Sequence, residues 1–313
     1  MYKSFYGLKE NPFNVNPDPR FLYLTKQVEE SLTGLMYGIQ TRKGFITLTG
    51  EVGTGKTTLV NRLLDWLHTR QARTAFLFNS RMNSSQLFDF ILAEFDIECD
   101  SKSKSQQLMK LNSWLLDRYT NGETVVLIID EAQNLTYPVL EEIRLLTNLE
   151  TSTEKLLQIV LSGQPELEEK LKLPQLRQLR QRIMLRCRTT PFLQEQTQEY
   201  IVERLRIAGA SGAPIFSPKA IEAVHMYSMG IPRIINLLCE HSLVNAFADQ
   251  MRPIQPKIVE EVAREFQLDE VEAIPSGSHS KIDADVYNSE SFIQNLGEAL
   301  SRFRLSPSGR DRK

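Results

Sequence analysis

The sequence predicts an α/β protein in which a five-stranded parallel sheet is followed by an all-helical domain. Apolar runs such as those at 45–49, 124–130 and 156–162 are typical of strands that are buried on both faces. They alternate with segments whose apolar residues recur at helical spacing, and this alternation favours parallel strands covered by helices. After Pro191 only helical patterns follow, which indicates a second domain built from helices.

The elements are predicted in the following order. Prolines near the start keep the first part of the chain irregular, and a helix is expected over Lys26–Thr41. Strands are expected at 45–49, 74–79, 124–130, 156–162 and 183–189, with helices at Lys56–Thr69, Ser84–Phe95, Ser105–Tyr119 and Tyr137–Asn148. The later helices are expected at Glu195–Ala208, Pro218–Tyr227, Pro232–Ala248 and Lys257–Phe266.

These elements divide the chain into four segments. An N-terminal extension covers residues 1–44, the α/β domain covers 45–191, and the helical domain covers 192–270. A polar linker and tail cover 271–313, and a short amphipathic helix is expected there over Ser289–Phe303.

Composition and charge exclude several classes of protein. The 37 Lys and Arg residues nearly balance 39 Asp and Glu residues, so the total charge gives no argument for nucleic acid or an anionic membrane as partner. The three cysteines are far apart, which predicts neither a zinc site nor a disulfide framework. No apolar run reaches the ~20 residues of a membrane helix, so we expect a cytoplasmic protein that only a partner would bring to the inner membrane.

The strongest motif is GEVGTGKT at residues 50–57, which fits the phosphate-binding P-loop at every fixed position. Glycines let the backbone wrap around phosphates so that its N–H groups point inward. Lys56 is expected to reach the β- and γ-phosphates of ATP, and the Thr57 hydroxyl to bind Mg²⁺. The predicted nucleotide-binding residues are Gly50, Glu51, Val52, Gly53, Thr54, Gly55, Lys56, Thr57 and Thr58.

An acidic pair ends the apolar run VVLIIDE, downstream of the P-loop. Asp130 is expected to hold Mg²⁺, directly or through water. Glu131 is expected to polarise the attacking water as general base. The second carboxylate favours hydrolysis over simple nucleotide binding, and it argues against a nucleotide-gated scaffold with little turnover.

Further polar residues are candidates for the γ-phosphate. Ser162 and Gln164 end the next predicted strand, which a sheet of this type places beside the acidic pair. Arg233 follows Pro232 at a predicted helix start in the helical domain, where it could contact the phosphate and link the nucleotide state to the angle between domains.

A basic run covers residues 176–188 and contains Arg177, Arg180, Arg182, Arg186 and Arg188. In a ring or filament one of these arginines could reach the ATP of a neighbouring subunit as an arginine finger, and we favour Arg182. The alternative is a solvated or nucleic-acid-facing basic surface.

Taken in order, GEVGTGKTTL, LIIDEAQNL, VLSGQPEL, LRQRI and GIPRIINLLC resemble the ATPase domain of the ExeA-like (general secretion pathway protein A) AAA+ family, over roughly residues 1–268. The resemblance implies an AAA+ core with a helical lid and ATP between them. It implies that Ser162–Gln164 contain sensor 1, that Arg182 is the finger and that Arg233 is sensor 2. It also implies that the extension packs on the nucleotide site, with Pro12–Phe13 and Tyr23–Leu24 near the adenine.

The same resemblance suggests an ATP-driven motor or switch for an envelope secretion or export assembly, acting as a homo-oligomer with a protein partner. The family's secretion protein continues into a membrane span and a peptidoglycan-binding region, whereas this chain stops after a short tail, so a stand-alone form is expected. The alternative is a DNA-binding AAA+ ATPase that regulates transposition, as the more distant TnsC and MuB relatives do.

Overall fold

The computed structural model describes residues 2–14, 19–78 and 82–268. The helix expected over Ser289–Phe303 and the linker before it lie outside these residues. In the described ranges, every helix is too short or too polar to cross a membrane.

Five strands form one parallel sheet, as predicted. They are β1 (Phe45–Gly50), β2 (Arg73–Leu77), β3 (Val125–Ile129), β4 (Leu157–Gly163) and β5 (Leu185–Thr189). The order across the sheet is β2-β3-β4-β1-β5, and every neighbouring pair is parallel. Ile129 pairs with Leu161, and Thr49 pairs with Gly163. The carboxyl ends of β1, β3 and β4 therefore lie side by side.

The continuous apolar runs of the central strands have a simple cause. Successive residues of a strand point to opposite faces of the sheet, and helices cover both faces here. Leu127 and Ile129 join one apolar cluster, whereas Val126 and Ile128 join the cluster on the opposite face. All residues of β1, β3 and β4 are buried.

Twelve helices surround and follow this sheet in the described residues. They are α1 (Tyr2–Tyr6), α2 (Lys26–Gln40), α3 (Lys56–Thr69), α4 (Ser84–Glu94), α5 (Lys104–Thr120), α6 (Tyr137–Leu146), α7 (Pro165–Lys172), α8 (Arg177–Arg180), α9 (Gln194–Ile207), α10 (Pro218–Ser228), α11 (Pro232–Ala248) and α12 (Pro256–Glu265). The predicted helices are present, with small shifts at their ends. Three short ones, α1, α7 and α8, were not predicted.

Helices α9 to α12 form the helical domain, which shares its apolar cluster with the N-terminal segment. Tyr6 and Phe13 are fully buried in this cluster. The backbone N–H of Lys9 donates to the carbonyl of Ala208 at 2.8 Å. The Tyr2 hydroxyl donates to Glu240 at 2.8 Å. Residues 2–13 are therefore part of the packing of the helical domain.

Candidate nucleotide-binding site

A cavity of about 400 Å³ lies between the β1–α3 loop, the segment before α2 and the helical domain. This is the carboxyl edge of the parallel sheet, where open α/β sheets bind ligands. Its lining residues are Asn14, Phe21, Leu22, Tyr23, Val28, Val52, Gly53, Thr54, Gly55, Lys56, Thr57, Thr58, Leu59, Glu131, Gln164, Thr189, Phe192, Tyr200, Arg204, Pro232, Arg233 and Asn236.

The P-loop turns from β1 into α3 through two glycines in the left-handed region, Gly53 at φ 82° and Gly55 at φ 96°. Helix α3 begins at Lys56, so its free backbone N–H groups lie at the end of the loop. The Lys56 ammonium is buried and donates to the carbonyls of Gly50 at 2.6 Å and Glu51 at 2.9 Å. Burial lowers the pKa of Lys56, although the nearby Glu131 carboxylate opposes this shift.

The loop is anchored to the end of β5 through Thr189, a residue that the sequence analysis missed. The hydroxyls of Thr54 and Thr189 are 2.7 Å apart, and Thr54 also donates to the carbonyl of Glu51 at 2.7 Å. A Cβ atom on Gly50 would lie 2.1 Å from the Thr189 hydroxyl oxygen. Gly50 is therefore needed for the close approach of the two strands.

Three predicted residues meet where Mg²⁺ would bind. Thr57 Oγ1 lies 3.5 Å from Asp130 Oδ2, and Ser162 Oγ donates to Asp130 Oδ1 at 2.7 Å. Hydroxyl and carboxylate oxygens suit this cation, which takes few protein ligands and completes its shell with phosphates and water. Thr57 and Asp130 therefore fit a magnesium site, and the bond from Ser162 fixes the orientation of the carboxylate.

Glu131 lines the cavity and has a left-handed backbone, with φ 52°. Its carboxylate accepts hydrogen bonds from the side-chain amides of Gln133 and Gln164, the latter at 3.3 Å. The two glutamines are joined in turn, because the N–H of Gln164 donates to Gln133 Oε1 at 3.0 Å. Gln164 thus contacts the predicted general base, and Gln133 is a partner that the sequence analysis missed.

Arg233 contributes to the cavity from the first turn of α11. Its backbone N–H donates to the carbonyl of Gly53 at 3.2 Å. A Cβ atom on Gly53 would lie 2.8 Å from Cβ of Arg233. The helical domain therefore contacts the P-loop directly at this point.

Arg182 is not among the residues that line this cavity. Its Nη1 donates to the Thr147 hydroxyl at 3.0 Å, beyond the C-terminal end of α6. A role for Arg182 in catalysis would thus need the cavity of a second subunit, and the finger stays a prediction.

The residues expected near the adenine are divided by the structure. Tyr23 lines the cavity, whereas Leu24 is outside its lining and is 53% exposed. Phe13 is buried in the helical domain, and the Pro12 carbonyl accepts a hydrogen bond from Arg204 at 2.5 Å. The sequence analysis missed Phe21, Leu22, Phe192, Tyr200, Arg204 and Asn236, which also line the cavity.

A family description, the AAA domain, matches residues 39–171. The chain is also 45% identical over 249 residues to general secretion pathway protein A of Aeromonas hydrophila. This chain carries an AAA domain homologous to that of general secretion pathway protein A. The match covers 79% of this chain and 45% of the Aeromonas protein, so the chain spans less than half the length of that relative.

Solved structures with the same fold support the AAA+ assignment of the architecture. CDC6P from Pyrobaculum aerophilum has a TM-score of 0.61 at 18% identity, over 82% of this chain and 71% of that one. The ORC2 protein of Aeropyrum pernix, in ADPNP–ADP complexes, has a TM-score of 0.59 at 14% identity, over 82% of this chain and 72% of that one. A RuvB variant from Thermotoga maritima reaches 0.54 at 16% identity, over 80% and 73%. Identities this low show the fold alone.

Proposed function

We propose that this AAA+ chain binds Mg-ATP in the cavity at the carboxyl edge of its sheet and hydrolyses it to change the position of the helical lid. One observation carries the proposal. The P-loop, Asp130, Glu131 and Arg233 come from distant parts of the chain and meet at one site. A site for a phosphate, a divalent cation, an attacking water and a lid contact is the minimum that such a cycle requires.

Each residue has a distinct part in this proposal. The N–H groups of the P-loop and the Lys56 ammonium bind the phosphates, which would replace the carbonyl oxygens that Lys56 now contacts. Magnesium, held by Thr57 and Asp130, would neutralise charge on the phosphates. Glu131 accepts the proton of the attacking water. Because α11 contacts the P-loop beside Arg233, a change in the phosphates can reach the lid through that residue.

We further propose that the ATP-bound chain forms a homo-oligomer in which Arg182 completes the neighbour's site. The support is its distance from the cavity of its own chain and its place beyond the end of α6. An arginine supplied in this way stabilises the transition-state charge and raises turnover by about 10³–10⁵-fold.

The partner that we propose belongs to an envelope secretion or export assembly, with the chain acting from the cytoplasmic side of the inner membrane. The support is the 45% identity to a protein named for the general secretion pathway. DNA is the alternative partner. Two of the five arginines behind that alternative already have partners within the chain, because Arg188 pairs with Glu168 at 2.5 Å and Arg182 donates to Thr147.

The test is ATP turnover per protomer as a function of protein concentration, with and without Mg²⁺ and duplex DNA. Wild type is compared with Glu131→Gln, Arg182→Ala and the control Arg206→Ala, which removes an exposed arginine of α9 that pairs with Glu203. We expect turnover to rise with concentration, to need Mg²⁺, and to fall at least about 100-fold in both test variants but not in the control.

Other results would change the proposal in specific ways. Turnover that is independent of concentration and survives Arg182→Ala would remove the finger in trans and leave a monomeric switch. Stimulation by duplex DNA, with a steep dependence on salt, would favour the transposition-type alternative. Absence of ATP binding in wild type would overturn the proposed function.

A further inference from the structure

Arg204 is a buried cation in the wall of the cavity. Its side chain leaves α9 and is only 6% exposed. Nε donates to the carbonyl of Pro12 at 2.5 Å. Nη1 donates to Asn236 Oδ1 at 3.2 Å and to the Tyr200 hydroxyl. All of these acceptors are neutral groups.

The positive charge of Arg204 has no carboxylate partner among the described residues. A buried charge without a counter-ion is costly, so polar or aromatic groups must compensate for the lost hydration. Aromatic rings do so in part, because the guanidinium carbon lies 4.7 Å from the centre of the Phe21 ring and 5.3 Å from that of Tyr200. Within the described parts of the chain, Nη2 donates no hydrogen bond.

The position of Arg204 in the cavity indicates which part of a nucleotide it meets. The P-loop and α3 bind phosphates at one side. Arg204 belongs instead to the group of lining residues with aromatic and apolar side chains, which suit a planar base. That group contains Phe21, Leu22, Tyr23, Val28, Tyr200 and Arg204.

We propose that Arg204 reads the base of the bound nucleotide, by donating an Nη2–H hydrogen bond to a ring nitrogen of a purine. The proposal rests on nucleotide binding at this site and names a specificity-determining residue for it. A charged N–H donor that is held in place by Pro12, Tyr200 and Asn236 loses little conformational freedom when it binds a ligand. The same contact tells the N-terminal segment and the lid that the base is present, because Arg204 bonds to both.

The test uses ATP and its 1-deaza, 3-deaza and 7-deaza analogues, each of which replaces one ring nitrogen by a C–H group. Dissociation constants are measured for wild type, Arg204→Met, Arg204→Lys and the control Arg206→Met, with inorganic tripolyphosphate as a competitor that has no base. We expect wild type and Arg206→Met to bind one analogue about tenfold or more weakly than ATP, as the loss of a hydrogen bond to a charged donor predicts. In both Arg204 variants that ratio should fall towards one, while tripolyphosphate binds as in wild type.

The outcomes separate this proposal from the proposed function. Equal affinity of wild type for ATP and all three analogues would overturn the role of Arg204 and leave ATP binding intact. A discrimination that persists in Arg204→Met would do the same. If wild type bound neither ATP nor tripolyphosphate, both proposals would fail together. The comparison of analogues on wild type is independent of whether a variant folds.

Discussion

Gly53 is the residue at which the P-loop and the lid are closest. Both Gly53 and Gly55 have positive φ, so any side chain at either position strains the backbone by about 1–2 kcal/mol. Their surroundings differ. A Cβ atom on Gly53 would meet Arg233 at 2.8 Å and Ile231 at 3.0 Å, whereas none of the described atoms lies within 4 Å of one on Gly55.

Gly53→Ala is therefore expected to destabilise the protein more than its matched control, Gly55→Ala. The control has the backbone strain alone, and the test variant adds a collision with the lid of about 1–3 kcal/mol. The measurement is the free energy of unfolding in urea without nucleotide. Equal losses for the two variants would show that the lid does not press on the P-loop in solution.

Single residues also show how far a site can be predicted from sequence. The P-loop and the acids after β3 were predicted because their spacing along the chain is itself the motif. Thr189, Gln133 and Arg204 were missed because each acquires its role only from residues that the fold brings to it. Arg204, for example, meets Pro12 across most of the chain.

At the scale of elements, the turn before α11 sets the place of the lid relative to the end of the α/β domain. The N–H of Phe192 donates to the carbonyl of Gly230 at 2.8 Å. Gly230 has φ 73°, and a Cβ atom there would lie 2.0 Å from the carbonyl oxygen of Phe192. Helix α11, which carries Arg233, begins two residues later.

Gly230→Ala should therefore displace the start of α11 from the P-loop. We expect a loss of several kcal/mol in unfolding free energy, because strain and a backbone collision add, together with weaker ATP binding. The control is Gly212→Ala, which also has a positive φ of 98° but meets none of the described atoms within 4 Å. Thermal unfolding and ATP titration of both variants provide the measurement. Intact ATP affinity in Gly230→Ala would mean that α11 does not position the site.

The pattern of hydrophobic residues predicted the long elements well and the short ones poorly. Strands such as β3 and β4 are apolar along their whole length because both faces are covered, and this signal is unambiguous. Helix α7 was read as the end of a strand. Its signals are charges, with Glu166 and Glu168 in the first turn and Lys170 and Lys172 in the last, which favour a helix through its dipole but carry little apolar pattern.

At the scale of the whole molecule, the N-terminal segment is an integral part of the lid. Phe13 is fully buried and meets Phe216 edge to face, with ring centres 6.3 Å apart. Its ring also lies 6.0 Å from the guanidinium carbon of Arg204. This segment therefore supports both the lid and one wall of the cavity.

Phe13→Ala is expected to lower the free energy of unfolding by about 3–5 kcal/mol, the usual result of emptying the space of a buried phenylalanine. Phe78→Ala is the matched control, because that side chain is 74% exposed and its removal should change stability by less than about 0.5 kcal/mol. Thermal unfolding followed by circular dichroism measures both. A Phe13→Ala protein as stable as wild type would show that residues 2–13 do not hold the lid together.

The packing of residues 2–13 on the lid also decides when the protein can finish folding. These residues leave the ribosome first, yet their partners extend to α12, which ends at Glu265. At about 5–20 residues per second, the interval between the two is roughly tens of seconds. During that time Tyr6 and Phe13 have no native burial, so a growing chain presents two aromatic rings to chaperones. A chain cut short before α12 presents them permanently, and quality control can recognise it as incomplete.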